Sequence, residues 1–223
     1  MRNLSIVLST TLVLHAEIVI PANQTHSDYS AQNSGKTGLI EMPNARVMDD
    51  WRIRPHLYYG DPFIYYGLTI APLPRLEINL RMTQVQGMSG FVDSDGYGEY
   101  KDKAIDMKFL LSKEDGLSPA VAIGFDDIHG TGLYSSKYLV ATKRFDFLEM
   151  SGGYALGRMG GEDLRKYGAN NADDRGITFL KSTKFGGGSV FGGIEAHVNP
   201  QLSLKAEYSP IEYRYDYINP FTS

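Results

Sequence analysis

The chain has no cysteine, one tryptophan and no run of lysine or arginine. Without cysteine there are no disulfide staples and no thiolate metal sites. No stretch after the N-terminus reaches the roughly 18 to 20 consecutive apolar residues that a transmembrane helix needs. A formal net charge of -4, with no basic patch interleaved with aromatics, excludes nucleic acid as a partner. The five histidines show no metal-ligand spacing. Gly186, Gly187 and Gly188 are followed by neither a Lys-Ser/Thr pair nor a helix, so they make a hairpin and not a nucleotide loop. Helical periodicity is absent, and nothing calls for a cofactor.

What is present is aromatic and flexible: 15 Tyr, 10 Phe and 24 Gly in 223 residues. Tyrosine and glycine together favour strands and tight turns. Arg2 precedes an apolar run over 4–14 (LSIVLSTTLVL), too short to span a bilayer as a helix but the length of a signal peptide core. We read 1–22 as a signal peptide, cut after Ala16 or Ala22, and 23–50 as a polar lead-in. The lead-in closes on a short apolar element and a Pro-Asn turn. An exported chain that enters a membrane without such helices does so as a barrel.

From Trp51 onward a period of two recurs, the mark of strands whose side chains alternate between faces. In the clearest strand Leu76, Ile78, Leu80 and Met82 alternate with Arg75, Glu77, Asn79 and Arg81. About ten such strands are expected over 51–223, the eighth at 177–185. Two long connections, 84–101 and 157–175, fall at the same end of an up-and-down meander. Short turns at one end, long loops at the other and apolar/polar alternation are the pattern of an outer-membrane barrel. A soluble β-sandwich with solvent on its polar faces is the alternative. The expected fold is therefore all-β, an antiparallel meander of about ten strands forming a transmembrane β-barrel or part of a larger one.

The stretch 128–144 (IHGTGLYSSKYLVATKR) organises this reading. A Gly-Thr-Gly turn opens it, and a two-faced strand follows with Tyr134, Tyr138 and Val140 on one side and Lys137 and Lys143 on the other. With 100–109 (YKDKAIDMKF), 38–47 (GLIEMPNARV), 71–77 (APLPRLE) and 118–128 (SPAVAIGFDDI), it resembles the YjbH-like outer-membrane proteins of exopolysaccharide and capsule gene clusters. The resemblance covers roughly 38–208. It implies an outer-membrane β-barrel that serves the production, export or organisation of an extracellular polysaccharide, with no catalytic residue. Its implied partners are outer-membrane lipid, polysaccharide and other secretion proteins. Members of the family are longer, so these strands read as a fragment or as a short form closed by partner strands. A general porin-like channel and a secreted glycan-binding sandwich remain as alternatives.

In a barrel the inner wall is expected to carry Arg75, Glu77, Arg81, Asp106, Lys108, Lys137, Lys143, Glu195, Lys205 and Glu207, bonding to one another, to water or to the hydroxyls of a glycan. Trp51, Tyr66, Tyr134, Tyr138 and Tyr208 are expected to face lipid or form interfacial belts. The carboxylates of Asp93, Asp95, Glu99 and Asp102 read as a solvated loop, since they miss the EF-hand spacing. Asp126, Asp127 and His129, close to Ser135 and Ser136, read as turn-shaping residues and not as a triad.

Overall fold

The computed structural model describes residues 30–89, 98–130, 132–164, 176–177, 187–199 and 202–216. Among them are ten strands, two 3-10 turns and no α-helix. The strands are β1 (Ile53–Gly60), β2 (Phe63–Leu73), β3 (Leu76–Ser89), β4 (Glu99–Ser112), β5 (Ala120–Gly130), β6 (Ser136–Phe145), β7 (Leu148–Gly157), β8 (Gly176–Ile177), β9 (Gly188–Asn199) and β10 (Leu202–Tyr208). They form one sheet in the order β1-β2-β3-β4-β5-β6-β7-β9-β10, antiparallel throughout.

The register explains the meander. Gly60 pairs with Phe63, Leu73 with Leu76, and Phe145 with Leu148, so three hairpins close on two residues each. Arg75 and Asp146, at φ 68 and 54, take the left-handed conformation that such tight turns demand. Gly132, at φ 79, does so in the Gly-Thr-Gly turn.

Two expectations change. The third strand runs on to Ser89 through an irregularity after Val85, which shortens the loop expected at 84–101. The eighth strand is not inserted between its neighbours. β7 pairs directly with β9, and Gly176–Ile177 joins the far end of β5 at His129 and Gly130. Residues 178–185 lie outside the described residues, as do the signal stretch, Asp93, Asp95 and the chain's last seven residues. The long connections β3–β4 and β7–β9 still emerge at one end, which we call the loop end; the hairpins β2–β3, β6–β7 and β9–β10 mark the turn end.

The sheet's two faces are inverted relative to a soluble protein. Leu57, Tyr59, Leu80, Phe109, Leu139, Tyr154, Val190, Ile194 and Leu204 are exposed, while Glu77, Asn79, Asp106, Lys108, Thr142, Glu149 and Glu195 are buried. Strict alternation links the sets, since Glu77 and Leu80, or Lys108 and Phe109, lie on the same strands. Two apolar clusters share the inside with the polar groups. One joins Leu39, Met42, Ala45 and Val47 to Leu110, Ala122, Tyr138, Val140 and Phe191. The other sits nearer the loop end and joins Phe63, Tyr65, Val85, Met88 and Tyr100.

Candidate functional site

The buried polar face is occupied, and its occupant is the chain's own segment 30–48. Nearly all of its residues are buried, and two isolated bridges, Ala31 with Thr37 and Gly38 with Pro43, fold it back on itself. A compact irregular segment leaves backbone N–H and C=O groups that no ladder satisfies, and burial makes each one costly. The inner face supplies the partners.

Glu77 on β3 accepts from the Thr37 amide (2.8 Å), the Thr37 hydroxyl (2.5 Å) and the Met48 amide (3.1 Å). Lys108 on β4 lies 3.4 Å from the same carboxylate and donates to the Thr37 carbonyl at 2.7 Å. Thr69 on β2 donates to the Gly35 carbonyl, and Asn79 to that of Ser34. On the opposite side Glu207 of β10 accepts from the amides of Ile40, Glu41 and Met42 at 2.9 to 3.1 Å. Lys205 donates to the carbonyls of Ala31, Gly38 and Leu39. Thr142 on β6 accepts from the Ala45 amide at 2.7 Å, and Glu149 on β7 from Arg46 at 3.0 Å. Ser30 donates to Glu195 on β9. The segment's own charges also point into the wall: Lys36 meets Asp126 on β5 at 2.5 Å, and Arg46 meets Glu114 in the β4–β5 turn. Arg54 on β1 faces Thr37 at 3.3 Å. All nine strands of the meander therefore hold the segment.

Burial pushes the Glu41 carboxyl above the ordinary carboxylate range, although nearby Arg158 and the Asn33 amide pull the other way. Burial also raises Glu114, but hydrogen bonds from Lys143 and Arg46 more than offset it and leave that carboxyl below its usual value. Among the described residues no group of three or more His, Asp or Glu side chains is placed to hold a metal ion.

Of the ten residues expected on the inner wall of a barrel, Glu77, Arg81, Asp106, Lys108, Glu195, Lys205 and Glu207 lie on the sheet face that holds segment 30–48. Arg75 is exposed in the β2–β3 turn, where it donates to the Leu111 carbonyl. Lys137 and Lys143 are on the other face. They alternate with Tyr138, Val140 and Thr142, which are buried, and share a side with Leu139, which is half exposed. Correspondingly, Tyr134 and Tyr138 do not face outward. The reason for Tyr138 is its partner across the ladder, Gly124. A Cβ at Gly124 would overlap the tyrosine ring, so the missing side chain makes the space into which the ring folds, edge-on to Phe191. Tyr134 is held between two cations, Arg81 at 5.7 Å and Arg158 at 5.2 Å. Trp51, Tyr66 and Tyr208 lie outward, Trp51 at 72% exposure.

The segment's role escaped sequence reasoning because a stretch without periodicity reads as a linker. Its trace is Lys36, Arg46 and the Pro-Asn turn, polar features that only the wall's opposite charges make meaningful. Asp126 and Asp127, read as turn residues, instead belong to the network: Asp126 pairs with Lys36, and the Asp127 amide donates to Asp106 at 2.8 Å.

An all-β chain folded as one antiparallel meander, with polar groups inside and an apolar exterior, belongs to a narrow class of architectures. A model for the family described as "Exopolysaccharide biosynthesis protein YbjH" matches residues 30–222, and the chain belongs to this YjbH family. It is 34% identical over 212 residues to the uncharacterized lipoprotein YjbH of Escherichia coli (strain K12), an alignment covering 88% of this chain and 30% of that protein. The chain thus spans about three-tenths of the length of that relative. No solved structure matches it. The family match begins at residue 30, where the described interior segment begins.

Proposed function

We propose that this chain is an outer-membrane β-barrel, or part of one, that serves exopolysaccharide production, export or organisation without catalysing a reaction. The observation that carries this is the inverted polarity of the sheet. Leu139 and Tyr154 are each about half exposed while Glu77 and Lys108 are 1% exposed. In water, so large an apolar exterior would aggregate; in lipid, it is the favourable surface, with Lys137 and Lys143 of that face near the two ends of β6. Membership of the family supports the link to exopolysaccharide, and the described residues form one sheet with no second sheet packed on it, which argues against a sandwich. No helix among the described residues is long and apolar enough to cross a membrane.

The filled interior argues against a general diffusion pore. A wall whose acceptors and donors are taken up by segment 30–48 offers no open channel. Its role is then closer to that of a sealed scaffold, working with lipid, polysaccharide or other secretion components at its ends. β1 and β10 are the two edges of the sheet, and within lipid their outer backbone groups must also be paired, by each other or by further strands.

Fractionation tests the proposal. The protein is expected in the outer-membrane fraction, resistant to carbonate washing and running faster on a gel before boiling than after. Recovery in the periplasm without detergent would refute the membrane reading. Unchanged surface polysaccharide in a deletion strain would refute the exopolysaccharide role.

A further inference from the structure

The loop end carries a closure that the functional reading does not require. After β10 the chain turns across this end as a strap, 209–216. Ile211 drops into the main apolar cluster and Tyr213 packs beside it. A buried ion pair ties the strap to the wall. Arg158, in the 3-10 turn Arg158–Gly160 that follows β7, meets Asp216 through two nitrogens: Nε lies 3.1 and 3.2 Å from the two carboxylate oxygens, and Nη2 lies 2.8 Å from Oδ2. The same guanidinium lies 5.2 Å from the Tyr134 ring and 5.9 Å from the Tyr213 ring. One ring belongs to the wall and the other to the strap. Arg158 therefore fastens the two at this point, in addition to the packing of Ile211.

Two small cavities lie on either side of this fastening, and Tyr134 and Arg158 line both. The outer one is bounded by Tyr100, Leu133, Glu162 and Glu212; the inner one by Lys36, Arg81, Ser136 and Glu41 of the filled interior. Each holds about 30 Å³, space on the order of one water molecule. The inner one is polar and unsaturated: Gln32 Nε2 and Asp126 Oδ1, both buried, line it without a protein partner. Such groups favour a polar solute over a dry void.

We propose that strap 209–216 is a gate over the loop end of the filled interior, latched by Arg158, and that its release admits small polar solutes to the inner cavity. Bidentate pairing and ring stacking make arginine the suited latch, since lysine supplies neither the fork nor the plane. The gate rests on the filled interior alone and holds whether the outer face meets lipid or detergent.

The absence of cysteine makes the test direct. Ser136, 1% exposed and lining the inner cavity, is replaced by cysteine in the full chain, and its reaction with a small maleimide is timed in detergent micelles. Thr142→Cys, buried toward the turn end, is the control. With the latch intact both positions should react slowly. Adding Asp216→Asn should speed Ser136→Cys at least tenfold and leave Thr142→Cys unchanged, while Arg158→Lys should fall between. An unchanged rate at Ser136→Cys would overturn the proposal, and so would equal acceleration at both positions, which would mean general loosening. Should Asp216→Asn lose its β-sheet circular dichroism, Tyr213→Leu, which keeps the ion pair and removes one ring, provides the same comparison.

Discussion

Replacing Glu77 by alanine should cost about 3–5 kcal/mol, because it leaves the Lys108 ammonium buried without its counter-charge. The carboxylate is 1% exposed and collects three donors from segment 30–48 in addition to Lys108 at 3.4 Å. Two of those donors, the amides of Thr37 and Met48, have no alternative acceptor among these contacts, and an unmade buried hydrogen bond costs about 1–3 kcal/mol. The contributions do not simply add, since water enters the space the side chain leaves. Lys108→Met should cost less, about 1–3 kcal/mol, because Glu77 keeps its donors from the segment. In the double variant Glu77→Ala/Lys108→Met the loss should fall below the sum of the singles by about 0.5–3 kcal/mol, the signature of residues in contact. Urea titration followed by the emission of Trp51, the single tryptophan, reports all of these. Trp51 begins the sheet where segment 30–48 leaves it, its amide donating to the Ala71 carbonyl at 2.7 Å. A Glu77→Ala variant within about 1 kcal/mol of the parent would refute the reasoning, because a buried charge left without its partner cannot be that cheap.

Other perturbations separate the two faces. Leu139→Arg, on the exterior of β6, should destabilise by about 2–4 kcal/mol in vesicles if that face meets lipid and by almost nothing if it meets water. Glu207→Ala removes the acceptor for three consecutive amides, so limited proteolysis within 38–46 should accelerate severalfold. Glu41 sets a pH dependence. Burial raises its folded-state pKa above the ordinary 4.5, so the folded protein holds the proton more tightly than the unfolded chain. Its stabilising contribution is full below 4.5 and is lost as the pH rises through the raised value. Stability relative to Glu41→Gln should therefore improve on acidification, as denaturation midpoints at several pH values would show. Glu114 acts with the opposite sign: its depressed pKa contributes stability above 4.5 that is lost on acidification, a dependence that Glu114→Gln should remove.

Strand positions and the inverted faces were legible because alternation is a local property. Leu76 to Met82 already declares one apolar and one polar side, and β3 keeps that frame in the structure. Orientation in space is not local, and β6 shows why. Its residues alternate just as clearly, but Tyr138 and Val140 are as suited to an apolar cluster as to lipid, and long lysines reach water from either face. What decides is Gly124 across the ladder and Phe191 two strands away, neither visible from β6. Lys137 and Lys143 were consequently assigned to the wrong side. The interior segment was illegible for a similar reason, since nothing periodic marks residues 30–48. Their fit depends on Glu77, Lys108, Glu149, Lys205 and Glu207, brought from four strands. Charge marks seven of the expected wall residues that lie on the face holding the segment, but it does not mark what they hold.

Labelling of β6 in lipid vesicles, one cysteine at a time in this cysteine-free chain, tests the inverted polarity most directly. Probes at positions 139 and 141 should be quenched by a lipid-soluble reagent and ignored by a water-soluble one, while 138 and 140 should be shielded from both by segment 30–48. Ready access of the water-soluble reagent to 139 and 141, or of either reagent to 138 and 140, would contradict a lipid-facing sheet closed over its own N-terminal segment.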